Sequence, residues 1–219
     1  MTCCLRVLGV ESVGLNVDYN GRPVNLYVCP AGINVEGVWD YCKRIGTSKT
    51  ETLRKLFSNK KMLLGIDSAD QLRGVEHKLE GFQMFLKSFP EWRDKVALIQ
   101  VIIPEIGIDA SAEAKVLELS AAINREFGSI GNLPVNIFYQ KVSNEEFYSL
   151  IQYADIYLNT AERDSIPLNV LSYISAQREK NGQVVLSEFV GLANYLEGAF
   201  PVNPWNKKVH TARELLGHF

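Results

Sequence analysis

Lys61-Met62-Leu63-Leu64-Gly65-Ile66-Asp67-Ser68-Ala69-Asp70-Gln71-Leu72-Arg73-Gly74 changes character half-way along. Met62 to Ile66 is almost wholly apolar, which suits a strand covered on both faces, as in a parallel sheet. Small, acidic and basic residues follow as far as Gly74. Beyond it Val75, Leu79, Phe82, Phe85, Leu86 and Phe89 recur at helical spacing. A strand that runs through a loop into a helix places the loop at the carboxyl end of a sheet. There, strand ends and helix N-termini leave backbone N–H groups free for an anionic ligand. An ordinary βα turn has the same outline, and no Gly-rich fingerprint accompanies this one. Asp67 and Asp70 read either as a carboxylate pair or, for one of them, as a helix N-cap.

Working outward, the same alternation continues. Strands are expected at 62–66, 96–103, 135–139, 156–159, 184–187 and 199–202. Helices are expected at 75–89, 111–127, 144–153 and 167–177, with a short helical piece near 192–196 and a last helix at 207–216. Pro90 and Gly128 close the first two helices, and a capping box, Ser143-x-x-Glu146, opens the third. Strands alternating with helices of this length imply βαβ units with right-handed crossovers. The expected fold is therefore α/β, a Rossmann-like doubly wound parallel sheet. Ligands of such sheets sit beyond the carboxyl ends of the strands, in the loops 67–74, 104–110, 140–143, 160–166 and 188–191. Polar residues concentrate in the first of these and in Asn159-Thr-Ala-Glu-Arg-Asp-Ser165, just before Pro167. Arg163-Asp164 also reads as a local ion pair.

The amino-terminal stretch differs. Residues 13–29 alternate apolar and polar positions around Asn20-Gly21, whose residues suit the two positive-φ positions of a type I′ hairpin turn. Pro30-Ala-Gly32 breaks this pattern, and 35–59 reads as two short helices. Residues 1–45 are accordingly expected to be a β-hairpin and linker helix, the remnant of a separate amino-terminal domain, and 46–219 the Rossmann-like domain.

Composition excludes several function classes. Of 219 residues, 47% are hydrophobic and 22% charged, ordinary for a globular chain. A formal net charge of −2 offers no basic field for nucleic acid or an anionic membrane. No apolar run reaches the roughly 18 residues of a membrane span, and the first residues lack a signal-peptide layout. Cys3, Cys4, Cys29 and Cys42 form no C-x-x-C pair, so a reduced, cytoplasmic setting is expected, with an organellar assembly left open. His77, His210 and His218 are scattered, so neither a metal site nor a cofactor is expected.

The two polar loops, in this order, resemble those of the carboxyl-terminal half of trehalose-6-phosphate synthases, retaining glycosyltransferases of the two-Rossmann-domain (GT-B) architecture. That family writes the first loop G-V-D-R-L-D-Y-I-K-G, and this chain has Gly65-Ile-Asp-Ser-Ala-Asp-Gln-Leu-Arg-Gly74. It writes the second R-D-G-M-N-L-V-x-Y-E, against Arg163-Asp-Ser-Ile-Pro-Leu-Asn-Val-Leu-Ser172. Phe89-Pro-Glu-Trp-Arg93, Leu186-Ser-Glu-Phe189 and Val202-Asn-Pro-Trp-Asn206 are similar too, and the hairpin resembles the end of the family's amino-terminal domain.

The resemblance implies a donor site for UDP-glucose. By position, the family's diphosphate-binding arginine falls on Ser68 and its lysine on Arg73, a cation of different reach. The acid that contacts the donor sugar is kept as Asp164. Ser165 stands for the following glycine, Pro167 for an asparagine, and Leu168 for a leucine whose amide faces phosphate. The ribose-holding glutamate falls on Ser172. Ser68, Pro167 and Ser172 are thus degenerate donor-site positions, while Arg73, Asp164, Ser165 and Leu168 are the substrate-binding positions that remain. In a metal-free transfer, cations and backbone N–H groups must stabilise the leaving diphosphate. Each lost charge-assisted contact costs about 1.5–3 kcal/mol, so two losses weaken binding by a factor on the order of 10²–10⁴. Pro167 removes one N–H as well. The expected function is a non-catalytic synthase-like protein that serves other protein subunits as a regulatory or structural partner, with at most weak UDP or UDP-glucose binding. Two alternatives stand beside it. One is the donor-binding half of a working enzyme, and the other is a fold recruited as a structural subunit of a large assembly.

Overall fold

In the computed structural model, residues 9–10, 12–14, 16–27, 29–45, 48–68, 70–104 and 110–206 are described. The expected helix at 207–216 lies outside them. The chain divides into two compact units, Met1–Ala31 and Gly32–Phe219.

Among its described residues the first unit holds three short antiparallel strands, β1 (Ser12–Val13), β2 (Asn16–Tyr19) and β3 (Arg22–Asn25), in that order. Tyr19 pairs with Arg22 across the turn. Asn20 and Gly21 have φ of 53° and 76°, the left-handed values a two-residue I′ hairpin demands. Asp18 Oδ1 accepts from the Gly21 N–H at 2.8 Å and closes the turn.

The second unit opens with α1 (Val35–Arg44) and α2 (Ser48–Leu56) and then alternates. Strand β4 (Lys61–Ser68) leads to α3 (Val75–Ser88), β5 (Val96–Ile103) to α4 (Ala110–Phe127), and β6 (Val135–Tyr139) to α5 (Asn144–Tyr153). Then β7 (Ile156–Asn159) leads to α6 (Leu168–Ala176), followed by β8 (Gln183–Ser187) and β9 (Phe200–Val202). Helix α1 packs on α5 and α6.

All six strands of the second unit are parallel, in the order β6-β5-β4-β7-β8-β9. The chain winds outward from β4 in one direction and from β7 in the other. The gap between those two strands is the topological switch point of a doubly wound sheet. Two apolar layers cover the sheet. Met62, Leu64, Ile66, Ile99 and Val101 pack beneath Val38, Ile151, Val170 and Tyr173 of α1, α5 and α6. On the opposite face Leu63, Leu98, Ile102, Ile156 and Val185 meet Leu79, Phe82, Leu86, Val116 and Ile123 of α3 and α4. Each fully buried aliphatic side chain contributes about 1.5–3 kcal/mol by its removal from water. This is why the strands read as unbroken apolar runs.

The helix ends follow the sequence signals. Ser143 N donates to Glu146 Oε2 at 3.0 Å and Glu146 N donates to Ser143 Oγ at 3.3 Å, a complete capping box. Among the described residues no helix is long and apolar enough to cross a membrane.

Candidate functional site at the carboxyl end of the sheet

The two loops singled out by sequence follow β4 and β7, so they flank the switch point directly. They are locked together by hydrogen bonds to backbone carbonyls. Thr160 Oγ1 donates to the Gly74 carbonyl at 2.8 Å, and Glu162 N donates to the Leu72 carbonyl at 2.9 Å. Gly74 has φ of 64°, and a Cβ there would overlap the Thr160 carbonyl. Only glycine satisfies both conditions. The loop after β8 joins them, because Gly191 N donates to the Asp164 carbonyl at 3.1 Å.

Asp67 and Asp70 do not form a carboxylate pair. Asp70 caps the 3-10 turn Gln71–Arg73 and accepts from Leu72 N at 3.1 Å. Asp67 is buried and binds the Lys78 ammonium at 2.5 Å. Gln100 completes the cluster, accepting from Lys78 Nζ and donating to Asp67 Oδ2, both at 3.0 Å. Lys78 and Gln100 are 3% and 0% exposed, so each buried charge and amide has its partners within the protein. Gly65 makes room for this network, since a Cβ there would overlap Gln100 Oε1 and Lys78 Nζ. The network holds the end of β4 from below.

Above it, Arg73 Nη1 and Asp164 Oδ2 are 2.6 Å apart. Asp164 meets this distant arginine, 91 residues away in sequence, rather than its neighbour Arg163. Asp164 Oδ1 also accepts from Ser165 N at 2.8 Å. Ser68 is buried at the end of β4, and Ser172 is buried in α6. Pro167 occupies the N-cap position of α6 and supplies no side-chain cap. Leu168, the first residue of that helix, is exposed at 41%, and Val170 N donates to the Pro167 carbonyl at 3.0 Å, which leaves the first two N–H groups of the helix without a partner inside it. Beside the loops, His77 Nε2 lies 2.8 Å from Glu162 Oε1, and its ring lies 5.0 Å from that of Trp205.

The structure thus brings Arg73, Asp164 and Ser165 together, with Leu168 at the adjoining helix start. The Lys78–Asp67–Gln100 cluster and the His77–Glu162 contact were not anticipated. Lys78 lies on the helical row of Val75 and Leu79, where a lysine reads as a solvated residue. The available signal was Gly65, since glycine inside a strand marks a close approach by another group.

A parallel sheet in this order, with its polar loops at the switch point, is the architecture of one Rossmann-like domain of a GT-B glycosyltransferase. The sequence profile of glycosyltransferase family 20 matches residues 1–214, and the chain belongs to that family. It is 38% identical over 205 residues to the 56 kDa subunit of alpha,alpha-trehalose-phosphate synthase (UDP-forming) from Saccharomyces cerevisiae. Its identity to the corresponding synthase of Schizosaccharomyces pombe is 33% over 210 residues. These alignments cover 92% and 94% of this chain but 41% of each relative. The N-terminal domain of Candida albicans trehalose-6-phosphate phosphatase superposes with a TM-score of 0.91 at 35% identity, covering 99% of this chain and 47% of that one. An Escherichia coli structure described as bound to UDP-2-fluoro glucose shares the fold, with a TM-score of 0.88 at 23% identity, over 96% of this chain and 48% of its own. The chain therefore spans less than half the length of the relatives it matches.

Proposed function

We propose that this chain is a trehalose-6-phosphate synthase-like module without donor-sugar turnover, acting inside the cell as a regulatory or structural partner of other protein chains. The observation that carries the reading is the 2.6 Å contact between Arg73 and Asp164. These are the cation and the acid that the family resemblance carries over to the donor diphosphate and sugar, and here they neutralise each other. A UDP-sugar that used both would have to break the ion pair first. Ser68 and Ser172, at the positions of the family's arginine and glutamate, add no charge to draw a diphosphate or hold a ribose. One solved relative of the same fold is a domain of a protein named for a phosphatase, so the fold is not confined to proteins named as synthases.

A second reading, the donor-binding half of a UDP-glucose-dependent retaining glycosyltransferase, is favoured by the intact backbone frame. The interlocked loops and a helix start without a side-chain cap are what an oxyanion would need. Turnover separates the two. The chain, alone and mixed with its co-purifying subunits, is assayed for UDP release from UDP-glucose and glucose 6-phosphate. The proposal expects no release that depends on this chain. Release abolished by Asp164→Ala would establish the second reading.

A further inference from the structure

At the amino end of the parallel sheet, a cavity of about 910 Å³ opens beside the starts of β4, β7 and β8. Arg54, Lys60, Lys61, Lys95 and Lys180 line it, against a single acid, Asp155. That acid is already engaged, accepting from Met62 N at 2.8 Å and from Lys61 Nζ at 3.2 Å. Lys60 and Lys180 donate to neutral oxygens, those of the Asn132 side chain and the Gln152 carbonyl. Among the described residues no carboxylate lies in ion-pair contact with Arg54, Lys60, Lys95 or Lys180. The cations also crowd one another: burial first, and the charge of Arg54 second, lower the pKa of Lys180.

The same wall holds two buried acceptors that lack donors. Gln177, 5% exposed, donates its amide N–H groups to the Ile151 and Ala154 carbonyls at 2.7 and 2.9 Å. Its Oε1 is buried without a hydrogen-bond partner, and so is Oε1 of Gln183. Trp92 adds an aromatic lining, with Lys95 5.8 Å from its ring centre. Helix C-termini attract cations, which accounts for Arg54 in the last turn of α2 and for Lys180 beyond α6. It does not account for Lys60, Lys61 and Lys95 on the other side, nor for two amide oxygens that lack donors.

Surplus cations call for an anion, and orphaned amide oxygens call for hydroxyl donors. A phosphorylated sugar or polyol carries both, and its ring matches an aromatic wall. We propose that this cleft is a ligand site for such a molecule, separate from the loops that carry Arg73 and Asp164.

Calorimetric titration of the whole chain with glucose 6-phosphate, and in parallel with glucose and with inorganic phosphate, tests it. Glucose 6-phosphate should bind more tightly than either component. Arg54→Glu and Lys95→Glu should each weaken it roughly tenfold, the size of one lost charge-assisted contact. Both residues are exposed, so the melting temperature should hold, and Lys95→Gln gives a milder check. Gln183→Leu should weaken glucose 6-phosphate and leave inorganic phosphate unchanged, while Arg73→Ala should leave both unchanged. Absence of binding at about 10 mM ligand, a very weak limit, would overturn the site. So would equal affinity for inorganic phosphate, or binding that Arg73→Ala removes and Arg54→Glu does not.

Discussion

The two ends of the parallel sheet treat charge in opposite ways. At the carboxyl end, Lys78 meets Asp67, Arg73 meets Asp164, and His77 meets Glu162. At the amino end, five cations surround one carboxylate that is already bonded to Lys61 and to backbone. In the family's donor site the carboxyl end should be the one hungry for an anion. Here Lys78, Asp67, Arg73 and Asp164 are used internally, to tie β4 to α3 and one loop to the other, and Arg163 stays at the surface. The difference teaches that a retained fold does not preserve a retained field. A site can keep its backbone frame while its side chains turn inward, and an unsatisfied field can build up elsewhere on the same scaffold.

The largest effect that sharpens this contrast concerns the buried pair. Lys78→Met removes the cation from the buried Asp67 and leaves it the Gln100 amide alone, and should cost about 3–5 kcal/mol in chemical denaturation. Asp67→Asn together with Lys78→Met should recover part of that loss; no recovery would mean that Lys78 acts through packing instead. Gly74→Ala comes next. It forces a side chain into a left-handed position against the Thr160 carbonyl, and should cost about 1–3 kcal/mol. An unchanged denaturation midpoint would show that the loops are not locked together as described.

The third test uses pH. Burial raises the pKa of Tyr157, with the charge of Asp67 adding to it, and burial raises that of Tyr173, whose hydroxyl donates to the Asp155 carbonyl at 2.9 Å. Their folded values lie above the unfolded value near 10. The stability they confer is therefore complete below about pH 10 and is lost as pH rises, at about 1.4 kcal/mol per pH unit for each phenol. Tyr173→Phe should flatten the alkaline limb by one phenol; an unaltered limb would mean Tyr173 ionises in place.

The smallest effect is the one most often expected to be large. Arg73 is 39% and Asp164 18% exposed by side chain, so their ion pair is partly solvated. Asp164→Ala should change stability by less than about 1 kcal/mol, and binding of partner chains should be unaffected. A large loss of UDP-glucose affinity in that variant would contradict the non-catalytic reading.

Much of this architecture was legible in the sequence because the signals were local. Asn20-Gly21 specified its turn, Ser143 and Glu146 their capping box, and the apolar runs at 62–66 and 96–103 the centre of the sheet. The two polar loops were legible as a pair because a doubly wound order puts the turns after β4 and β7 side by side. Pairing across long separations was not legible. Arg73 and Asp164 were each visible, but nothing in either segment says that they touch, and Arg163 offered a nearer candidate. Lys78 was hidden for another reason: helical periodicity assigns a lysine to solvent, and only the missing side chain of Gly65 lets its ammonium reach Asp67. The cationic cleft was invisible because its residues come from four separate segments, each unremarkable alone.

The central claim is that the donor site is closed on itself. It is tested most directly by calorimetric titration of the purified chain with UDP and then UDP-glucose. The account predicts no binding heat at millimolar ligand, before or after Arg73→Ala. Micromolar binding that Arg73→Ala or Asp164→Ala abolishes would contradict it and restore the chain as a working donor half.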